Sequence, residues 1–187
     1  MLNYNSVIKN EIKQESISVK EISPVIKINL RGKKREFLTN VGKNLNMILP
    51  TEANTSSMSD KLTAIWLSPD EWMIVSNEIV NKDTNKHELY EMLFNSISKT
   101  NLGAVIDITD QFVQLELKGK KIYDLFSSGS PFNFNEFKER KGSTTQTLLN
   151  NIDVIIHNKD QNYVNLFVRR SFANHLFDWM NDFVLRI

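Results

Sequence analysis

The sequence contains no cysteine. That excludes disulfides, thiolate nucleophiles and cysteine-based metal sites together, and it fits a protein kept in a reducing compartment. No uninterrupted apolar run approaches the roughly 20 residues that a membrane span requires. The first residues, MLNYNSVIKNEIKQE, are polar and mixed in charge, without the apolar stretch of a secretory signal. Neither sign of charge dominates. There are 23 Lys and Arg against 22 Asp and Glu, a net charge of +1, so the basic excess of a nucleic-acid binder is missing. The expectation is a soluble, cytoplasmic protein.

Motifs of small-molecule chemistry are missing too. The three histidines, His87, His157 and His175, show neither HxH nor HExxH spacing, and His87 and His175, on the two amphipathic helices, are expected at a surface or an interface. No GxGxxG or GxxxxGK[ST] occurs. RGKK and KGKK place Gly32 and Gly119 before lysine pairs, yet a single glycine builds no nest of amides for a phosphate. These glycines are expected to end strands, with Lys33, Lys34, Lys120 and Lys121 solvated. Ser127 and Ser128 lack the flanking glycines of a nucleophile elbow.

What the chain does contain is an internal repeat. IKINLRGKKREFLTNVG, from Ile26, aligns with VQLELKGKKIYDLFSSG, from Val113, at a constant offset of 87 residues. Ile26, Ile28 and Leu30 alternate with polar residues, as do Val113, Leu115 and Leu117, which is the period of a half-buried strand. A glycine then breaks the strand, a helix follows, and Gly42 or Gly129 suits its C-terminus. KLTAIWLSPDEWMIVS and QTLLNNIDVIIHNKDQNYVNLFVRR each read as strand, turn and strand. Amphipathic helices are expected at 85–99, with Leu89, Met92, Leu93 and Ile97 on one face, and at 172–185, with Leu176, Trp179, Met180 and Phe183. Thr84 and Ser171 stand where a hydroxyl caps free amides.

Each half thus reads β-α-β-β-α, with AVIDI, Ala104 to Ile108, closing the first. This is the order of a ferredoxin-like unit. The second half lacks a closing strand, and SISVKEI, Ser16 to Ile22, is available to cross over and supply it. The stretch 51–60 reads as a polar, mobile loop. The expected fold is α+β: two repeated ferredoxin-like units, at about 25–108 and 112–187, fused into one compact domain.

WLSPDEW, Trp66 to Trp72, is the densest chemical motif. Asp70 and Glu71 could be a catalytic pair, but Pro69 and its neighbours suit a tight turn, and adjacent carboxylates in a turn point apart. General acid–base work needs both groups to face one substrate. Asp107 and Asp110 flank a strand end, where a turn role is expected. No catalytic, cofactor-binding or metal-ligating residue is assigned. Trp66, Trp72, Phe132, Phe134, Phe137 and Trp179 suit an interaction role instead, since aromatic residues favour interfaces.

WLSPDEWMIV, AVIDITDQFVQLELKGKKIYDLFSSGSPFNF, the TLL of 147–149 and RSFANHLFDWM together resemble the gamma subunit family of heterotetrameric sarcosine oxidase, from about Val25 to Phe183. Ser68 departs from the glycine usual in the first block, and Gly129-Ser130-Pro131 from a usual Gly-Cys-Pro. The resemblance implies alpha, beta and delta subunits as partners. It implies an assembly that oxidises sarcosine with oxygen to glycine and hydrogen peroxide, passing a one-carbon unit to tetrahydrofolate. FAD, covalent FMN and NAD are implied for the alpha and beta subunits and zinc for delta, with no cofactor and no catalytic residue here. The implied shape is similar to the T-protein folate-binding fold. The alternative is a free-standing folate-binding or aminomethyltransferase-like protein using Asp107 and Asp110, which rests on fold analogy alone. A small interaction module with another partner is a third reading.

Overall fold

Two apolar-alternating stretches 87 positions apart become the central strands of two sheets. The computed structural model describes residues 5–22, 24–80 and 87–186. Along the chain run β1 (Ile12–Lys13), β2 (Ser18–Glu21), β3 (Val25–Arg31), α1 (Arg35–Leu45), β4 (Ser56–Met58), β5 (Leu62–Ser68), β6 (Glu71–Ile79) and α2 (Glu88–Leu93). They are followed by β7 (Ala104–Asp107), β8 (Phe112–Lys118), α3 (Ile122–Gly129), α4 (Asn135–Glu139), β9 (Thr144–Leu149), β10 (Ile152–Asp160), β11 (Tyr163–Arg169) and α5 (Ala173–Val184). The chain forms two compact units, one of Pro24–Thr109 and one of residues 5–22 with 110–186.

The first unit carries a sheet in the order β4-β5-β6-β3-β7, the second in the order β1-β2-β8-β11-β10-β9. Every neighbouring pair is antiparallel. The two orders match over five strands, and β1 adds a sixth at the edge of the second sheet. A three-strand meander leads to a central strand, β3 or β8, and one more strand pairs on its far side. That last strand is β7 in the first unit. In the second it is β2, whose Val19 pairs with Leu117, so the N-terminal stretch fills the slot. Strands β3 and β8 begin and end at residues separated by the repeat offset, Val25 with Phe112 and Arg31 with Lys118.

Several elements differ from the sequence reading. Stretch 51–60 contains a strand, β4, paired with β5. The segment read as one hairpin after Gln146 is two, because Asn150 and Asn151 both take left-handed backbone (φ 50° and 62°) and close β9 on β10. Two such residues form the tight turn whose twist matches a hairpin. Gly42 does not end its helix: α1 runs on to Leu45, and Asn46 (φ 49°) takes the left-handed cap. Ser171 does not cap α5. It lies in a 3-10 turn, Arg170–Phe172, whose Arg170 side chain pairs with Asp110 and donates to the Asn5 carbonyl. Thr84 lies outside the described residues. Helix α2 continues as a π-helical turn over Phe94–Ser98, with Leu93 and Ile97 buried and Met92 exposed.

Each sheet is covered on one face by helices. Phe37, Val41 and Leu45 of α1 pack on Ile28, Leu30 and Ile74, and Leu176, Met180 and Val184 of α5 pack among Leu115, Leu166 and Ile156. The opposite faces are also buried, at Thr63, Met73 and Lys27 in one sheet and Gln114, Glu116 and His157 in the other. The strands expected to be half-buried are thus buried on both sides.

Candidate functional site

Pro69 and Asp70 make the turn between β5 and β6, and Trp66 stands directly opposite Trp72. Asp70 accepts a hydrogen bond from the Ser68 hydroxyl at 3.0 Å, with Arg31 Nε and Lys33 Nζ at 3.5 and 3.7 Å. The Ser68 hydroxyl, helped by those two cations, holds the Asp70 pKa below its ordinary value. Glu71 turns elsewhere and accepts from the Asn29 amide at 2.7 Å. The two carboxylates are therefore committed to different partners, and Asp70 is shifted away from the direction a general acid requires.

The histidines divide. His175 is exposed on α5, as expected. His87 and His157 are not at the surface. His87 is buried just before α2, with Nε2 3.9 Å from Asp107. His157 is 1% exposed in β10, and burial, with the Lys159 charge, pushes its pKa down to about 4. The burial of His87 corrects the expectation of a surface or interface position. Among the described residues, no group of three or more His, Cys, Asp or Glu is placed to hold a metal ion.

Asp107 accepts the Thr109 N–H at 2.9 Å, the expected turn role, while Asp110 pairs with Arg170 at 3.0 Å. The two aspartates belong to different units. Gly32 and Gly119 both follow a strand end. A side chain at Gly32 would meet the Phe37 ring, and Gly119 needs its positive φ of 131°. Their lysines are engaged in part: Lys33 reaches Asp70, and Lys121 pairs with Asp124 at 2.9 Å. Ser128 donates to the Leu125 carbonyl at 2.7 Å, which is a helix-end bond.

Sequence reasoning missed two buried polar arrangements. Lys27, 2% exposed, directs Nζ to the carbonyls of Val25 and Thr109 at 3.1 and 3.3 Å. In the second sheet, Lys20, Glu116, Asn165 and His157 occupy successive strands in one row. Glu116 receives the Tyr163 hydroxyl at 2.9 Å, Lys118 at 2.9 Å and Lys20 at 3.4 Å. Burial works to raise its pKa, but Lys118, Tyr163 and Lys20 outweigh burial and the pKa is lowered. Tyr163 is pushed up to about 12 by burial and by Glu116. The only sequence signal was a set of polar residues in strand alternation, which equally describes a solvated face.

The aromatic residues also fall differently. Trp72, Phe134 and Phe137 are core residues, and Trp66, Phe132 and Trp179 pack against the cores. Phe132, Phe134 and Phe137 contact one another edge to face, with ring centroids 4.9 to 5.8 Å apart. The exposed large apolar side chains are others, among them Ile48 at 84%, Leu185 at 69% and Ile106 at 52%.

Residues 32–185 match the family described as "Sarcosine oxidase, gamma subunit family". The chain belongs to the sarcosine oxidase gamma subunit family. That makes it one chain of a multi-subunit oxidase, with other subunits as partners. A solved heterotetrameric sarcosine oxidase from Corynebacterium sp. U-96, in complex with pyrrole 2-carboxylate, contains a chain of similar fold. It is 19% identical, with a TM-score of 0.80, over 92% of this chain and 86% of that one. The glycine cleavage system aminomethyltransferase T from Bartonella henselae is also similar in fold, at 19% identity and a TM-score of 0.59. The match covers 87% of this chain but 44% of the aminomethyltransferase. No curated protein sequence matches. With the gamma subunit family matched and less than half of the aminomethyltransferase spanned, the free-standing folate reading is not favoured. Among the described residues, no helix is long and apolar enough to cross a membrane.

Proposed function

We propose that this chain serves a cytoplasmic heterotetrameric sarcosine oxidase as a non-catalytic subunit, assembled with alpha, beta and delta subunits. The assembly would oxidise sarcosine to glycine with formation of hydrogen peroxide, its one-carbon unit passing to tetrahydrofolate. FAD, FMN, NAD and zinc would reside in the partner subunits.

The observation that carries this reading is the occupation of the candidate carboxylates. Asp70, Glu71, Asp107 and Asp110 each bind a structural partner within the fold, and Asp107 and Asp110 fall in different units. What remains for this chain is to fold, to stay folded and to present a surface. Purified alone, it should be colourless and make no peroxide from sarcosine. Co-expressed with the other subunits, it should elute with a yellow, sarcosine-oxidising fraction. A yellow, active chain on its own would overturn the proposal.

A further inference from the structure

The second sheet is completed by a segment from elsewhere in the chain. Residues 5–22 belong to the second unit, yet residues 24–109, which separate them from β8, belong to the first. In the first sheet the equivalent slot is filled by β7, which lies within its own unit. Within the second unit, β1 and β2 are therefore held by non-covalent contacts alone, as a bound peptide is.

The segment is a hairpin with bonds of its own. Ile12 pairs with Val19 and Lys13 with Ser18. Gln14 and Ile17 exchange backbone hydrogen bonds at 3.0 and 3.3 Å across the turn. The Glu21 carboxylate accepts the Val7 and Ile8 N–H groups at 2.9 and 2.6 Å, which ties the start of the segment to its end. An element closed on itself in this way gives up less conformational freedom when it docks.

The receiving edge is equally defined. Strand β2 pairs with β8 from Ser18 opposite Lys118 to Glu21 opposite Leu115. The Ile22 N–H donates to the Gln114 carbonyl at 2.9 Å, and the Lys121 N–H donates to the Ser16 carbonyl at 3.2 Å. Ile8, Ile12, Ile17 and Val19 are buried in the core that contains Leu115 and Leu117. Lys20 meets Glu116 at 3.4 Å. Gly119 shapes the end of the seat: a Cβ there would collide with the Ser16 carbonyl oxygen and stand 2.8 Å from the Ile17 Cα. Main-chain partners, apolar seats and one carboxylate for a lysine are the elements of strand addition, which takes affinity from the backbone and specificity from side chains. Strand β8 pairs with β11 over Phe112–Lys118 but with β2 only over Leu115–Lys118. The hairpin is the weaker attachment, and the less extensively bonded element opens at the lower free energy.

We propose that the β8 edge is a strand-binding site whose ligand is the 5–22 hairpin, held from its own chain but exchangeable for the hairpin of a second copy while β8, β9, β10 and β11 stay folded. Exchange of one identical element between copies is a low-cost route to association. The inference goes beyond the oxidase reading and does not depend on it.

The test uses the full chain with a protease recognition sequence inserted at Ser23 and cut after folding. The cut hairpin should stay bound through gel filtration. An isotopically labelled peptide of residues 5–22, standing for the second copy, should replace it, as read by mass spectrometry. Replacement should run at least about tenfold faster than amides of β10 and β11 lose their protection from hydrogen exchange. Ile17→Ala and Gly119→Ala should each speed replacement by about tenfold or more, whereas Lys9→Ala, at an exposed position, should leave the rate unchanged. Loss of the hairpin on cutting would overturn the inference. Replacement no faster than exchange in β10 and β11 would overturn it too, because the hairpin would then leave only when the whole sheet opens. Equal rates in all three variants would show that the contacts named here do not hold it. If a variant fails to fold, the cut wild-type chain alone decides.

Discussion

Trp66 and Trp72 face each other across the β5–β6 hairpin, yet only Trp72 is locked in the core. Its indole N–H donates to the Pro50 carbonyl at 2.7 Å, and its ring stacks on Phe37 with centroids 5.9 Å apart. The hairpin therefore clamps the segment after α1 to the sheet. Trp72→Ala should lower unfolding stability by about 3–5 kcal/mol, the usual cost of removing a buried large aromatic. Trp66→Ala should cost clearly less, because Trp66 is only partly buried. Denaturant unfolding of the two variants checks the order. Equal losses would contradict the clamp.

Asp70→Asn combined with Glu71→Gln should leave turnover of the assembled oxidase within a few fold. Removing a true general acid or base costs about a hundredfold or more. The check is peroxide production by intact complex. A hundredfold fall, with assembly preserved, would return this pair to the chemistry.

His157 gives the fold a pH dependence of known sign. Its folded pKa, about 4, lies below the ordinary 6.5. As pH falls through that window the unfolded chain takes up a proton that the folded chain refuses, so stability declines. The shift corresponds to about 3 kcal/mol lost between neutral pH and pH 4. Glu116 acts lower. Its folded pKa is depressed from 4.5, so its contribution is present above that value and lost below it. Melting temperatures between pH 7 and 4.5 thus isolate the histidine. His157→Gln should flatten the decline, and an unchanged slope would contradict the assignment.

Asn151 holds φ 62° in the β9–β10 turn. Asn151→Gly should be neutral or mildly stabilising, while Asn151→Val should cost about 1–3 kcal/mol, because a β-branched residue is strained there. The comparison of unfolding midpoints checks both. A tolerated valine would mean that the turn had changed type.

Local signals carried far into this fold. The glycine-bounded repeat located β3 and β8 and the helices α1 and α3 after them, Pro69 located a hairpin, and apolar spacing located α2 and α5, because each depends on residues near in sequence. The crossover of β2 was legible from a gap, since β8 lacked a neighbour. Burial was not legible. Lys27 and Glu116 alternate with apolar residues as solvated side chains do, and only contacts from Thr109, Tyr163 and Lys20 show them to be internal. The same holds for His87 and His157. Strand β4 was missed because SSM carries no alternation and pairs only by virtue of β5. Gly42 misled because glycine is common at helix ends, while Asn46 four residues on does the capping.

The most direct test of the account is peroxide production from sarcosine by material captured on this chain, with and without the co-expressed alpha, beta and delta subunits. The account predicts activity and flavin colour only when the partners are captured with it. Peroxide from the isolated chain, or an active alpha–beta–delta assembly from which this chain is absent even when it is supplied, would contradict it.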